Sequence, residues 1–96
     1  MEVLVVYDVN TETREGRRRL RRVAKRCEAF GQRVQYSVFE CILDDKGYER
    51  LQHALKEIID QDLDSLRIYR LREPRERYLK IIGRDVAHDI HQPLIL

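Results

Sequence analysis

An aspartate ends an apolar run near the start of the chain. Residues 3–10 read VLVVYDVN, and the β-branched and aromatic residues stop at Asp8. A carboxylate at the end of a buried strand has a rigid mount, where it can bind a hard cation such as Mg²⁺, which prefers oxygen ligands. It can also accept backbone N–H groups and cap the following loop. From these residues alone, loop capping is the simpler interpretation.

Arginine is concentrated in two parts of the chain. Of the 19 basic residues 15 are arginine, and residues 14–26 hold eight cations against a single acid. The eight are Arg14, Arg17, Arg18, Arg19, Arg21, Arg22, Lys25 and Arg26. A second group lies in residues 67–77. Charge runs are usually solvated faces, but crowded cations destabilise a helix, so the imbalance favours a nucleic-acid backbone as a compensating ligand.

Other residues that could carry chemistry are less informative. Cys27 and Cys41 are far apart among apolar neighbours, which is typical of buried thiols. The stretch AHDIHQ at 87–92 offers two histidines and an aspartate without a third soft ligand, so a zinc site is not favoured. The chain has no Gly-rich phosphate loop and no base-reading motif, so any nucleic-acid binding should be independent of sequence.

The elements that must position these residues can be read from periodicity. Residues 2–8 predict a buried strand, and polar cap residues predict a helix that starts near Thr13, continues to Phe30 and stops at Gly31. The alternation in residues 32–43 is ambiguous, and a kink near Ser37 that divides it into two strands resolves this. We expect a turn at 44–47, a second amphipathic helix from Tyr48, and a strand over 65–71.

This order predicts one α+β domain over residues 1–96, a ferredoxin-like sandwich β-α-β-β-α-β with a short C-terminal strand. Both helices would cover one face of the sheet, and the other face would need a cover. The apolar segments 78–82 and 94–96 could add to the sheet edge of a second protomer. We therefore expect a homodimer packed sheet to sheet, with residues 78–96 as an extension that contributes to it. The alternative is that both segments patch their own chain.

Length and composition restrict the class of protein. With 96 residues, 43% hydrophobic and 38% charged, the chain is typical of a small globular domain. No apolar run reaches the roughly 20 residues that span a membrane, and the N-terminal run lacks the features of a signal peptide. We expect a cytoplasmic protein.

Several of these stretches together resemble a known family. VVYDV, the Arg-rich first helix ending in a glycine, GQRVQYSVFEC, DSLRIYRL and the closing PLIL are similar to the small CRISPR-associated adaptation nucleases. That family is the ferredoxin-like, homodimeric partner of the CRISPR integrase in spacer acquisition. The resemblance implies docking between integrase dimers and a Mg²⁺-dependent nuclease activity, on single-stranded RNA in some members and on double-stranded DNA in others.

The resemblance also implies site residues. Asp8 would be the catalytic, metal-binding position, with Mg²⁺ or another divalent cation such as Mn²⁺ held by Asp8 from both protomers. Glu12 and Glu40 are candidates for a second carboxylate, but their spacing does not place either of them at Asp8. The groups expected to contact phosphate are Arg14, Arg17, Arg18, Arg22, Lys25 and Arg33. Tyr7, Ser37 and Phe39 would lie beside the site, although Tyr7 and Phe39 are also natural core residues.

Two alternatives to an adaptation nuclease remain open at this point. In one, the protein is a DNA-binding scaffold that bridges two integrase dimers without catalysis, and Asp8 is structural. In the other, it is a toxin-like ribonuclease on the same fold. A lone carboxylate favours the scaffold, whereas a rigid mount at a strand end favours an enzyme.

Overall fold

The computed structural model describes residues 1–85, which form a four-stranded antiparallel sheet with two helices on one face. The elements are β1 (Glu2–Asp8), α1 (Arg14–Glu28), β2 (Gly31–Gln35), β3 (Val38–Ile42), α2 (Asp45–Ile58), β4 (Ser65–Leu71) and the short α3 (Arg75–Tyr78). The strand order is β2-β3-β1-β4. The predicted ferredoxin-like α+β fold is therefore confirmed. The AHDIHQ stretch and segment 94–96 lie outside the described residues.

The first strand is central because it pairs on both sides and alternates strictly. Val3, Val5 and Tyr7 are at most 4% exposed and face the helices. Val5 lies opposite Phe39 of β3 on one side and Ile68 of β4 on the other. Burying one face of a strand in this way fixes its register, because a shift by one residue would expose the whole apolar set.

The two helices complete the core with one apolar stripe each. The buried residues of these stripes are Val23, Cys27, Leu51, Leu55 and Ile58. Thr13 caps α1, as predicted, by accepting the Gly16 N–H at 3.0 Å. No helix within residues 1–85 is long and apolar enough to cross a membrane.

Three predicted boundaries were wrong. Helix α1 ends at Glu28 rather than Phe30. Gly31 does not stop it but opens β2, where a Cβ would collide with the Glu40 carbonyl and the Cys41 side chain of the neighbouring strand. The expected turn at 44–47 is the cap and first turn of α2, because the Asp44 side chain accepts the Gly47 N–H at 2.7 Å.

The segment after β4 covers part of the open face of its own sheet. Residues 79–85 form no strand, in contrast to the extra strand expected over 78–82. Arg75 of α3 lies 3.2 Å from the Glu40 carboxylate. Burial, together with a hydrogen bond to Glu2, raises the pKa of Tyr78 to about 12. Residues 75–78 thus contact their own sheet, while the contribution of the extension to a dimer stays a prediction and segment 94–96 lies outside the described residues.

Both cysteines are buried free thiols, as predicted. Cys27 of α1 is fully buried and Cys41 of β3 is 1% exposed. Burial raises the pKa of Cys27 to about 12 and the pKa of Cys41 to about 11. Neither thiol ionises near neutral pH.

A buried carboxylate that sequence analysis did not identify joins three parts of the fold. The Asp64 side chain is 0% exposed and forms a 2.8 Å ion pair with Arg19 of α1. It also accepts the backbone N–H groups of Asn10 at 3.0 Å and Asp60 at 2.9 Å. Burial alone would raise the pKa of Asp64, but these hydrogen bonds and the Arg19 charge hold it below its ordinary value.

We expect Asp64→Asn to lower the free energy of unfolding by about 2–4 kcal/mol, because it leaves the Arg19 guanidinium without its anion. Because the pKa of Asp64 is lowered in the folded state, its contribution is complete above the ordinary aspartate pKa, near about 4, and is lost as pH falls. The difference between wild type and variant should therefore shrink in acid. Urea unfolding followed by circular dichroism at several pH values measures both effects.

The exposed pair of His53 and Glu57, 3.1 Å apart on α2 and 75% and 69% exposed, provides the control. Glu57→Gln should cost less than about 0.5 kcal/mol. Equal costs for Glu57→Gln and Asp64→Asn would contradict the structural role assigned to Asp64.

Candidate metal and nucleic-acid site

Asp8 is the last residue of the central strand and is exposed. It shares the open face of the sheet with Leu4 and Val6, and it lies opposite Ser65 of β4. The strand β1 is paired on both sides up to Val6, and Asp8 itself is paired with β4, so the sheet holds the backbone that carries the carboxylate. The rigid mount expected from the sequence is present.

Other residues do the loop capping that the sequence left open for Asp8. The Asn10 side chain accepts the Glu12 N–H at 3.0 Å, and Asp64 accepts the Asn10 N–H. Thr13 caps the helix that follows. Within residues 1–85 no hydrogen bond or ion pair engages the Asp8 carboxylate. The capping interpretation of Asp8 is therefore wrong.

The candidate second carboxylates do not complete a metal site in one chain. Glu40 lies opposite Leu4, about 13 Å along the strand from Asp8 at the usual rise per residue. Glu12 is exposed in the loop after β1. Residues 1–85 contain no group of three or more His, Cys, Asp or Glu side chains that could hold a metal. Among residues 1–85 this site has Asp8 alone, so the donor chemistry suits Mg²⁺ only if further ligands come from elsewhere, such as a second protomer or the substrate.

The residue before Asp8 ties the neighbouring hairpin tip to β1. The Tyr7 ring is 4% exposed and packs 6.3 Å from the Phe39 ring, so its predicted core role is confirmed. Its hydroxyl donates to the Tyr36 carbonyl at 3.2 Å, and its N–H donates to the Ser37 carbonyl at 3.1 Å. Burial raises the pKa of Tyr7, although a hydrogen bond with Arg33 acts in the opposite direction.

Phe39 and Arg33 belong to the helix side of the sheet. Phe39 is fully buried, as a core residue would be, and lies opposite Arg33 in the ladder. The Arg33 guanidinium lies 5.1 Å from the centre of the Phe39 ring and 3.8 Å from the Glu28 carboxylate. Part of the Arg33 charge is therefore already matched within the chain, and its contact with phosphate stays a prediction.

The basic face of α1 is solvent-exposed. The exposed cations of α1 are Arg14, Arg17, Arg18, Arg21, Arg22, Lys25 and Arg26. Arg19 differs from them because it is only 15% exposed and paired with Asp64. Helix α1 packs on the face of the sheet opposite to Asp8, and residues 9–13 connect the two. The structure therefore presents an arginine surface and a carboxylate on different sides of the molecule.

The sequence did not single out Tyr36. Its side chain is 93% exposed in the tip between β2 and β3. The kink predicted near Ser37 is confirmed, because residues 36–37 form the turn between β2 and β3. The sequence did not show that this turn leaves the Tyr36 ring exposed.

The sheet is ferredoxin-like, an exposed aspartate ends its central strand, and the first helix is rich in arginine. Together these features define a small α+β protein suited to binding anionic polymers. The comparisons agree with this class. The model of the family described as CRISPR associated protein Cas2 matches residues 1–78. The chain belongs to this family, which confirms the resemblance read from its sequence.

Curated relatives align over almost the whole chain. A protein named CRISPR-associated endoribonuclease Cas2 1 from Moorella thermoacetica is 51% identical over 96 residues and covers 100% of both chains. A CRISPR-associated endoribonuclease Cas2 from Nitratidesulfovibrio vulgaris is 46% identical, covering 100% of this chain and 94% of its own. A CRISPR-associated endonuclease Cas2 from Halalkalibacterium halodurans is 47% identical, with 99% of each covered.

Solved structures share the fold. Streptococcus pyogenes Cas2, crystallised at pH 6.5, superposes with a TM-score of 0.77 at 51% identity, covering 86% of this chain and 100% of its own. A crystal structure titled cas2 gives a TM-score of 0.68 at 38% identity, with 88% of each chain covered.

Since nothing in residues 1–85 depends on the Asp8 carboxylate, we expect Asp8→Asn to change the free energy of unfolding by less than about 0.5 kcal/mol. Tyr7→Phe, by contrast, removes the hydroxyl that holds the hairpin tip and should cost about 0.5–1.5 kcal/mol. Urea unfolding of both variants measures the two costs. A large loss from Asp8→Asn would return the residue to a structural role.

Proposed function

We propose that this protein is a divalent-metal-dependent endonuclease of CRISPR spacer acquisition, working in the cytoplasm as a homodimer in which Asp8 from both protomers forms the catalytic centre. The observation that carries this is the Asp8 carboxylate, which is exposed at the end of the central strand and engaged by no group in residues 1–85. A carboxylate with no structural task on a rigid mount is suited to hold a ligand.

The open face of the sheet supports the homodimer. It carries apolar side chains that antiparallel sheets usually reserve for packing, among them Ile42, 74% exposed, and Tyr69, 44% exposed. Asp8 lies on this same face. A two-fold axis through an interface of this kind repeats each residue across it, so a second copy would bring a second Asp8 to the centre and supply a ligand that residues 1–85 of one chain do not provide.

In this proposal the chain's own residues bind and orient the substrate. The two Asp8 carboxylates would hold Mg²⁺ or Mn²⁺ at the scissile phosphate, and the exposed arginines of α1, on the other side of the sheet, would bind more distant phosphates of the substrate. When bound, the cation would supply Lewis acidity toward the phosphate and lower the pKa of a coordinated water. The printed names of the relatives, endoribonuclease and endonuclease, support phosphodiester hydrolysis as the reaction.

A second candidate function rests on the arginine surface of α1. Seven exposed cations lie on the side of the molecule away from Asp8, and they can hold a duplex without any catalytic group. In this candidate the protein is a scaffold that bridges two integrase dimers on DNA, while the integrase performs the chemistry. Cleavage and binding therefore need separate tests.

We expect wild-type protein to cleave single-stranded RNA or duplex DNA with Mg²⁺ and not with EDTA, and Asp8→Ala to remove the activity at matched concentration. Losing a ligand of the catalytic metal removes the charge that stabilises the transition state. Cleavage of labelled substrates, resolved on denaturing gels, measures the effect and ranks RNA against DNA.

Asp62→Ala is the matched control, because Asp62 is an exposed aspartate in the connection before β4. It should cleave like wild type. Cleavage that survives Asp8→Ala, or no cleavage of either substrate, would leave the scaffold as the better function.

For the arginine surface, we expect Arg18→Glu with Arg22→Glu to weaken binding to duplexes of every sequence and to reduce the salt slope by about one for each lost phosphate contact. The matched control is Lys46→Glu with Arg50→Glu, a reversal of two exposed cations at the same spacing on α2. Fluorescence anisotropy at several salt concentrations measures the slope. Equal losses in the two double variants would assign the effect to net charge alone.

A further inference from the structure

The tip of the β2–β3 hairpin presents an aromatic ring to solvent. At 93% exposed, Tyr36 is the most exposed large apolar side chain of residues 1–85. Single exposed apolar residues are common on protein surfaces, so exposure alone assigns no role. Tyr36 is distinguished by its backbone, which is hydrogen-bonded to the end of β1.

Two hydrogen bonds fix the tip beside the end of β1. The ladder between β1 and β3 runs to the pair Val6 and Val38. It is extended by the Tyr7 N–H, which donates to the Ser37 carbonyl at 3.1 Å, while the Tyr7 hydroxyl holds the Tyr36 carbonyl at 3.2 Å. The next residue along β1 is Asp8, and neighbouring strands lie about 5 Å apart. Tyr36 therefore lies at the same end of the sheet as Asp8.

A cleft of about 420 Å³ lies between α2 and β4, and another borders this tip. That cleft measures about 740 Å³ and is lined by the tip itself together with Arg33 and Arg84. Its polar side-chain groups are a glutamine amide, the hydroxyls of a serine and of Tyr36, and two guanidinium groups. An aromatic ring beside cations is the combination that single-stranded nucleic acid uses, with the base on the ring and the phosphate on the charge.

We propose that Tyr36 is a positioning residue that stacks on an unpaired base and so places the adjoining phosphate at Asp8. The inference rests on the proposed function of Asp8 and adds the form of the ligand. Because a paired base in a duplex already has stacking partners on both faces, the strand at this point must be single-stranded, either RNA or a frayed or single-stranded segment of DNA. The ring acts through its face, so the hydroxyl is not required.

The chain has no tryptophan, so Tyr36→Trp introduces a single indole reporter. We expect its fluorescence to be quenched by a ten-nucleotide single-stranded RNA or DNA, in EDTA or in Ca²⁺, and not by an abasic strand of the same length. The RNA and DNA arms identify which sugar is preferred. Two further variants test whether the ring itself provides the binding.

Tyr36→Phe keeps the ring and should bind the intact strands like wild type. Tyr36→Leu keeps apolar bulk without a ring and should weaken that binding by about 5- to 100-fold, with no change for the abasic strand. Because the side chain is exposed, both variants should unfold like wild type, which urea unfolding checks. The difference between phenylalanine and leucine is a readout that a merely structural role would not produce.

Absence of quenching in both EDTA and Ca²⁺, or equal affinity of the leucine and phenylalanine variants, would overturn the inference. A change of oligomeric state in Tyr36→Leu, seen by size-exclusion chromatography, would overturn it in favour of a protein contact. Quenching without Asp8-dependent cleavage would keep the stacking role and reject the nuclease. Asp8-dependent cleavage without quenching would support the nuclease and reject the stacking role of Tyr36.

Discussion

The buried Asp64 carboxylate is the constraint on which the geometry of the site end of the molecule depends. It binds the Arg19 guanidinium at 2.8 Å and the backbone of Asn10 and Asp60. The loop after β1, the first helix and the connection before β4 therefore meet at one group. A buried charge is tolerated only when its partners are complete, so these three segments cannot move independently without exposing it.

This anchoring determines where the chemistry can lie. Ser65, the next residue after Asp64, is opposite Asp8, so the anchor is adjacent to the end of the central strand. On the other side of β1, Tyr7 fixes the hairpin tip. Asp8 thus lies between the start of β4, which Asp64 anchors, and the hairpin tip, which Tyr7 holds. The arginine surface lies on the opposite face of the sheet. The fold thus places the arginine surface of α1, which can bind a nucleic-acid backbone, and the Asp8 carboxylate on opposite sides of the sheet.

The sequence predicted the fold well because its main signals are local. Strand alternation, helix stripes and the Thr13 cap each depend on residues a few positions apart, and the strand over 65–71 was placed at its observed bounds. The errors at Gly31 and Asp44 arose where a glycine or an aspartate suits a turn equally well. Only contacts show that Gly31 gives room to β3 and that Asp44 caps a helix.

The candidate site was predicted in part. Asp8 and the exposed arginines of α1 were identified, but the partner of Arg19 was not, because Asp64 is 45 positions away in sequence among other acids. The contact of Arg33 with Phe39 likewise follows from the pairing of two strands. Whether a side chain is paired or available depends on its three-dimensional neighbours, as the contrast between the paired Arg19 and the unengaged Asp8 shows.

The two buried cysteines have a consequence for how the motions of this protein could be followed. An alkylating reagent reacts with the thiolate, and burial holds the pKa of both thiols near 12 and 11. Modification therefore requires the core to open first. Cys27 of α1 and Cys41 of β3 belong to the same core cluster, so alkylation of either thiol in the native chain records, without any added label, the opening of the core between the helices and the sheet.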